Sequence, residues 1–169
     1  MSDQQELRQI PFTALRLRYG STKTYDDVVA ELLADVGHEP VLINDIAKQF
    51  DTWESFEHEV QSHVGPSGFM LFAVIDHGAW IRKTGINRKV LRVVIGNPLI
   101  AITMLRHDVT AGLFAPVELL ITDEDDGRSA LTYVAPSSLM VVEPNEALRA
   151  AALELDAKLS ALATKVTAT

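Results

Sequence analysis

The segment Phe69-Met70-Leu71-Phe72-Ala73-Val74-Ile75 constrains the fold more than any other, because it is apolar without interruption and closes on Asp76. It is far shorter than the ~20 residues needed to span a bilayer as a helix. It also lacks the polar alternation of a strand with one wet face. Length and composition together predict a central strand over residues 69–75, covered on both faces. Such a strand needs helices and further strands from the same chain to cover it.

The rest of the sequence supplies them. Arg16 and Arg18 alternate with Leu15, Leu17 and Tyr19, which predicts a half-buried strand over residues 13–19, ended by Gly20. Thr24 with Asp27 three residues on reads as a helix start, and Gly37 as its stop. A second helix begins near Asp51 with a stripe of Trp53, Phe56, Val60 and Val64, before a turn at residues 65–68. Asp76 caps a short helix from His77 to about Lys83, and Gly85 ends it. Residues 90–95 read as another strand, running into a helix capped by Asn97 with Pro98 at its first position. Residues 116–122 and 129–134 form a hairpin around the acidic tip Asp123-Glu124-Asp125-Asp126-Gly127. The longest helix, residues 145–165, carries one apolar seam of Leu148, Ala152, Leu155, Leu159, Leu162 and Val166. No repeat or linker breaks the chain. It reads as a single domain over residues 1–169 with a flexible lead-in at 1–10. The predicted class is α+β: about five mostly antiparallel strands, helices packed on one face, and the long C-terminal helix across the sheet.

Charge and cysteine usage narrow the function. A formal net charge of −8 argues against nucleic acid and against anionic membrane surfaces, since both select basic proteins. The absence of cysteine removes disulfides, thiolate metal sites and a cysteine nucleophile. The start Met1-Ser2-Asp3-Gln4-Gln5-Glu6 lacks the basic residues and apolar run of a signal peptide, so the expected location is cytoplasmic.

From Phe69 onward the motifs occur in a recognisable order. Ile75-Asp76-His77 is followed by Gly85, by Ile95-Gly96-Asn97-Pro98, by Gly112-Leu113 with Pro116, by the acidic hairpin ending in Gly127, by Tyr133, and by Pro136 with Leu139. In this order and spacing, residues 69–140 resemble the domain of unknown function 302 family. Residues 12–37 fit that family in pattern alone, and residues 38–65 look like a helical insertion. The resemblance implies a TATA-binding-protein-like α+β fold, a curved antiparallel sheet with the long helix across its concave side, and a homodimer. It implies no nucleic-acid binding, because fold similarity does not carry function. Where the family usually has Gly-Thr-Pro-Leu-Met after Asn-Pro, this chain has Ala101-Ile102-Thr103-Met104-Leu105, and Thr122 stands where the family usually has tryptophan. A pocket built from those positions is expected to be partly more apolar.

Two constellations carry candidate chemistry. Asp76-His77 either brings a carboxylate to an imidazole for acid–base work, or is a helix cap beside an exposed first turn. Asn97-Pro98 either offers a helix N-terminus to an anion, or is a structural cap on a tight turn. If the ends of strands 69–75 and 90–95 were adjacent, Asp76, His77, Asn97 and Pro98 would ring one ligand-binding spot. No metal site is expected: His58 and His63 are out of helical register, Glu59 and His63 suit a surface pair, and Met104 with His107 has the wrong geometry for haem. No serine-nucleophile motif is present, and the acidic tip lacks a calcium-loop pattern. Arg82, Lys83, Arg88, Lys89 and Arg92, with Arg16 and Arg18, either hold a small anion or balance the acidic tip. Phe69, Leu71, Val93, Leu148, Leu155 and Leu162 line a cavity or fill the core. The leading expectation is a non-catalytic dimer that binds or senses a small ligand. An enzyme using His77 with Asp76, and a structural or partner-binding dimer, are the alternatives. No cofactor is indicated.

Overall fold

The computed structural model describes residues 6–169. Residues 1–5 of the expected lead-in lie outside the described residues. Residues 6–15 have no regular structure but lie against the body: Arg8 pairs with Glu143, the Leu15 amide donates to Ser138 Oγ at 2.9 Å, and Phe12 meets Phe114 edge-on.

Strand β1 (Arg16–Ser21) is followed by helices α1 (Tyr25–Val36), α2 (Ile43–Gln49) and α3 (Trp53–His63). Strand β2 (Met70–Asp76) leads into the short α4 (His77–Ile81), and β3 (Val90–Gly96) into α5 (Pro98–Leu105). The hairpin of β4 (Val117–Asp123) and β5 (Ser129–Val134) precedes α6 (Pro136–Met140) and α7 (Glu146–Thr167). The five strands form one antiparallel sheet in the order β1-β5-β4-β3-β2. The α+β class follows directly from sequence patterning.

Period-two alternation sorts the sheet's two faces. Leu17, Leu91, Val93, Ile95, Leu119, Ile121, Leu131 and Tyr133 point to one side, where α1 and α7 cover them. The α7 seam is complete: Leu148, Ala152, Leu155, Leu159, Leu162 and Val166 are all buried there. Asn145 caps α7 through Oδ1, which accepts from the Leu148 amide.

The apolar run at 69–75 is not a central strand. β2 lies at the sheet's edge and pairs with β3 alone, leaving Val74 and Ile75 each 40% exposed. The physical reason lies in residues 41–64. Met70 joins a second apolar cluster with Ile46 of α2 and Val60 of α3, so the first half of β2 is buried by neighbouring helices rather than by flanking strands. The Val41 amide also donates to the Leu71 carbonyl at 2.8 Å, closing that half of the edge. An apolar run alone cannot tell these two kinds of burial apart.

β1 starts later than its alternation predicts. Its partner β5 gives way to α6 at Pro136, and one last bond from the Ala135 amide to the Leu15 carbonyl ends the pairing.

Candidate functional site

The residues expected to form one spot fall at two ends of the sheet. In the antiparallel β2–β3 pair, Met70 faces Gly96 while Asp76 faces Leu91. The five residue steps from Leu91 to Gly96 separate the two helix starts by roughly 17 Å at about 3.4 Å per residue. Asp76 and His77 therefore do not converge with Asn97 and Pro98.

At the Asp76 end, the carboxylate is occupied as a cap, its Oδ1 accepting from the Ala79 amide at 3.0 Å. The His77 ring meets the Trp80 indole edge-on, and Trp80 Nε1 donates to His77 Nδ1 at 3.3 Å. The imidazole's partner is thus an indole, so adjacency in sequence does not make a carboxylate–imidazole dyad. Gly78 lies tight against β3, where a Cβ would come within 2.9 Å of the Arg88 carbonyl oxygen.

The basic residues near this end pair with carboxylates, two of them on the acidic hairpin tip. Arg88 Nε lies 2.8 Å from Asp123, Arg18 lies 3.0 Å from Glu124, Lys89 reaches Asp26 at 2.9 Å, and Arg92 pairs with Glu118. Partial burial works to raise the Asp123 pKa, but hydrogen bonds from Arg88 and the Lys89 amide outweigh it and hold the carboxyl below its ordinary value. Tyr25 is pushed up to about 12, first by burial and then by the nearby carboxylates of Asp76, Asp26 and Asp123. Lys89 sits over its ring at 5.3 Å from the centroid. Among the described residues, no three His, Asp or Glu side chains are arranged to hold a metal ion.

At the Asn97 end both polar atoms of the side-chain amide have partners. Oδ1 accepts from the Leu99 amide at 2.8 Å and Nδ2 donates to the Gly68 carbonyl at 2.9 Å, stapling the turn before β2 to the start of α5. Beside it lies a cavity of about 200 Å³ that is partly open to solvent. Asn97 and Pro98 line it together with Ala101 and Met104 of α5, Leu155 of α7, and Phe72. Met104 and Leu155, both almost fully buried, bring this cavity to the core. Of the apolar candidates weighed from sequence, Phe69 and Leu155 border this cavity, while Leu71, Val93, Leu148 and Leu162 belong to the packed core. Ala101 and Met104 are among the positions that differ from the family's usual residues, and both contribute apolar surface to the cavity wall.

A shallower cleft of about 390 Å³ adjoins it, lined by Val41, Ile43 and Asp45 at the start of α2. Ile43, Phe72 and Pro116 border both spaces. Sequence reasoning missed these three residues. The apolar triplet Val41-Leu42-Ile43 was the one signal, and nothing in it pointed to a cavity. On the sheet face away from α7, a broader groove of about 480 Å³ runs past Arg16, Leu120 and the Arg92–Glu118 pair.

One antiparallel five-stranded sheet, a long C-terminal helix across it and an apolar cavity at the sheet's end define an α+β protein of a single-sheet class. The chain belongs to the family described as domain of unknown function DUF302, whose model matches residues 46–166. That match includes α3 and most of α2, within the segment that reads from sequence as an insertion. The chain is also similar in structure to an uncharacterized conserved DUF302 protein from Bacillus stearothermophilus, with a TM-score of 0.64 and 15% identity. The alignment covers 90% of this chain and 98% of that one. At that identity the likeness speaks for the fold alone. No curated protein matches. No helix among the described residues is long and apolar enough to cross a membrane.

Proposed function

We propose that this chain is a non-catalytic, cytoplasmic homodimer that binds or senses a small apolar ligand. The observation that carries the reading is the cavity of about 200 Å³ beside Asn97 and Pro98. An apolar recess of this size at the edge of a core leaves hydrophobic surface that a small apolar ligand would cover. Within this reading Asn97 and Pro98 shape the site through the backbone, since the Asn97 side chain is already satisfied. Asp76 and His77 lie outside it. The dimer part of the reading draws support from the family resemblance and from apolar side chains exposed where β2 runs into α4, namely Val74, Ile75 and Trp80.

Native mass spectrometry of the purified protein, compared with the denatured spectrum, tests both parts. The expected native species is a dimer carrying extra mass that denaturation releases, or one that takes up added 1-hexanol. A native monomer sinks the dimer. A species that stays bare at saturating 1-hexanol sinks the ligand reading.

A further inference from the structure

We propose that the inner cavity and the adjoining cleft are one binding site partitioned by Phe72, and that the site takes an elongated apolar molecule with a neutral or cationic polar end. The proposal rests on the ligand-binding reading above and extends it to ligand class and to the residue that sets ligand length.

Phe72 is not an ordinary strand residue. Leu71 faces Ile95 and Ala73 faces Val94, so Phe72 is the extra residue of a β-bulge, without a partner of its own in the ladder. Bulges re-aim a side chain that the regular pleat would send elsewhere. Here the ring lies against Gly96 and Pro116. A Cβ on Gly96 would come within 2.9 Å of Phe72 Cε2 and 3.1 Å of Pro116 Cβ. Glycine at this position is what makes room for the ring. The ring thus borders the inner cavity on one side and the cleft on the other.

Size argues for joining the two spaces. At about 30 Å³ per water-sized group, the inner cavity of about 200 Å³ holds roughly six or seven heavy atoms. Sites for small organic ligands are usually about 300–1,000 Å³; the inner cavity alone falls short of that range, and joined to the neighbouring cleft of about 390 Å³ it lies well within it. The polarity of the two ends sets the ligand's orientation. The inner end offers predominantly apolar walls, and the Asn97 Oδ1 and Nδ2 there each already hold a backbone partner, so it suits a hydrocarbon tail. The outer end carries Asn44 and the exposed Asp45 carboxylate, which favour a hydroxyl or ammonium group over an anion.

Binding of primary alkanols from 1-butanol to 1-decanol, measured by calorimetry on the full chain, tests the idea. Affinity is expected to rise about fourfold per methylene through 1-decanol. In Phe72→Trp, 1-decanol should lose at least tenfold while 1-butanol keeps its affinity. In Phe72→Leu, 1-decanol should gain several-fold. Decanoate should bind at least tenfold more weakly than 1-decanol, and Asp45→Asn should recover much of that loss. A wild-type series that levels off at about six or seven carbons, or a Trp variant that treats all lengths alike, overturns the partition while leaving the ligand reading intact. Equal binding of decanoate and 1-decanol overturns the polarity of the mouth. Failure of wild type to bind any alkanol removes the ligand reading and the partition together. Circular dichroism of each variant distinguishes loss of binding from loss of fold.

Discussion

Lys165 Nζ on α7 lies 2.7 Å from Asp35 Oδ2 at the end of α1, and the Asp35 side chain is 1% exposed. The same carboxylate accepts from the Ser67 amide at 3.2 Å and from the Ser67 hydroxyl. One acid therefore ties two helices and the turn before β2. Lys165→Met should lower stability by about 1–2 kcal/mol, because Asp35 keeps its Ser67 partners. Asp35→Ala strips all three donors and should cost more, roughly 2–4 kcal/mol. Urea unfolding midpoints check the order, and equal losses would contradict it.

Gly65 presses directly on the same corner. A Cβ there would stand 1.9 Å from the Asp35 carbonyl oxygen and 3.1 Å from the Phe69 carbonyl oxygen, both backbone atoms that cannot swing aside. Gly65→Ala should cost about 3 kcal/mol through backbone displacement. Gly37→Ala has open space around its Cβ but keeps a φ of +103°, so its cost is strain alone and should be smaller. Thermal unfolding of the two variants side by side separates crowding from strain.

Leu155 serves both the core and the cavity, being 3% exposed and part of the cavity wall. Leu155→Ala should destabilise by about 2–4 kcal/mol while enlarging the inner space, so 1-hexanol should restore more stability to this variant than to wild type. Leu153, two residues away and 46% exposed, should tolerate alanine within about 0.5 kcal/mol.

Tyr25, like Tyr133, carries a phenol whose pKa is raised first by burial, and so contributes to how stability changes at alkaline pH. Its folded-state pKa of about 12 lies above the ordinary 10.0, raised first by burial and then by Asp76, Asp26 and Asp123. The folded state thus favours the protonated phenol. That stabilisation is complete below pH ~10 and is lost as pH rises from there through about 12. Tyr25→Phe should flatten the stability profile across that interval. Urea melts of wild type and variant with parallel slopes there would refute the assignment.

Local features were the most legible. Thr24, Asp76, Asn97 and Asn145 each cap the helix that follows, because capping is decided within three residues. The α7 seam was equally plain for the same reason of short range. α6 escaped notice because its first turn is held by Asp156 of α7, whose Oδ1 accepts from the Ser137 amide at 3.0 Å. The cap arrives from a distant part of the chain.

The site was only half legible. Asn97 and Pro98 do border a cavity, but Asp76 and His77 do not join them. Whether two strand ends meet depends on strand direction, and motifs at each end carry no information about it. Phe72 was invisible for a related reason: a bulge re-aims one side chain through an offset in pairing, and that offset exists only once β2 meets β3.

The sheet order also sets when the molecule can come into being. β1 pairs with β5 alone, and Tyr19 stacks on Tyr133 across 114 residues of sequence. At ribosomal rates of ~5–20 residues per second, β1 waits roughly 6–23 s for the segment that completes it. Until then the apolar sides of β1 and α1 are without their partners β5 and α7 in the nascent chain. The chain is therefore one whose early half depends on its late half, and a chain cut short before β5 would leave β1 without its strand partner.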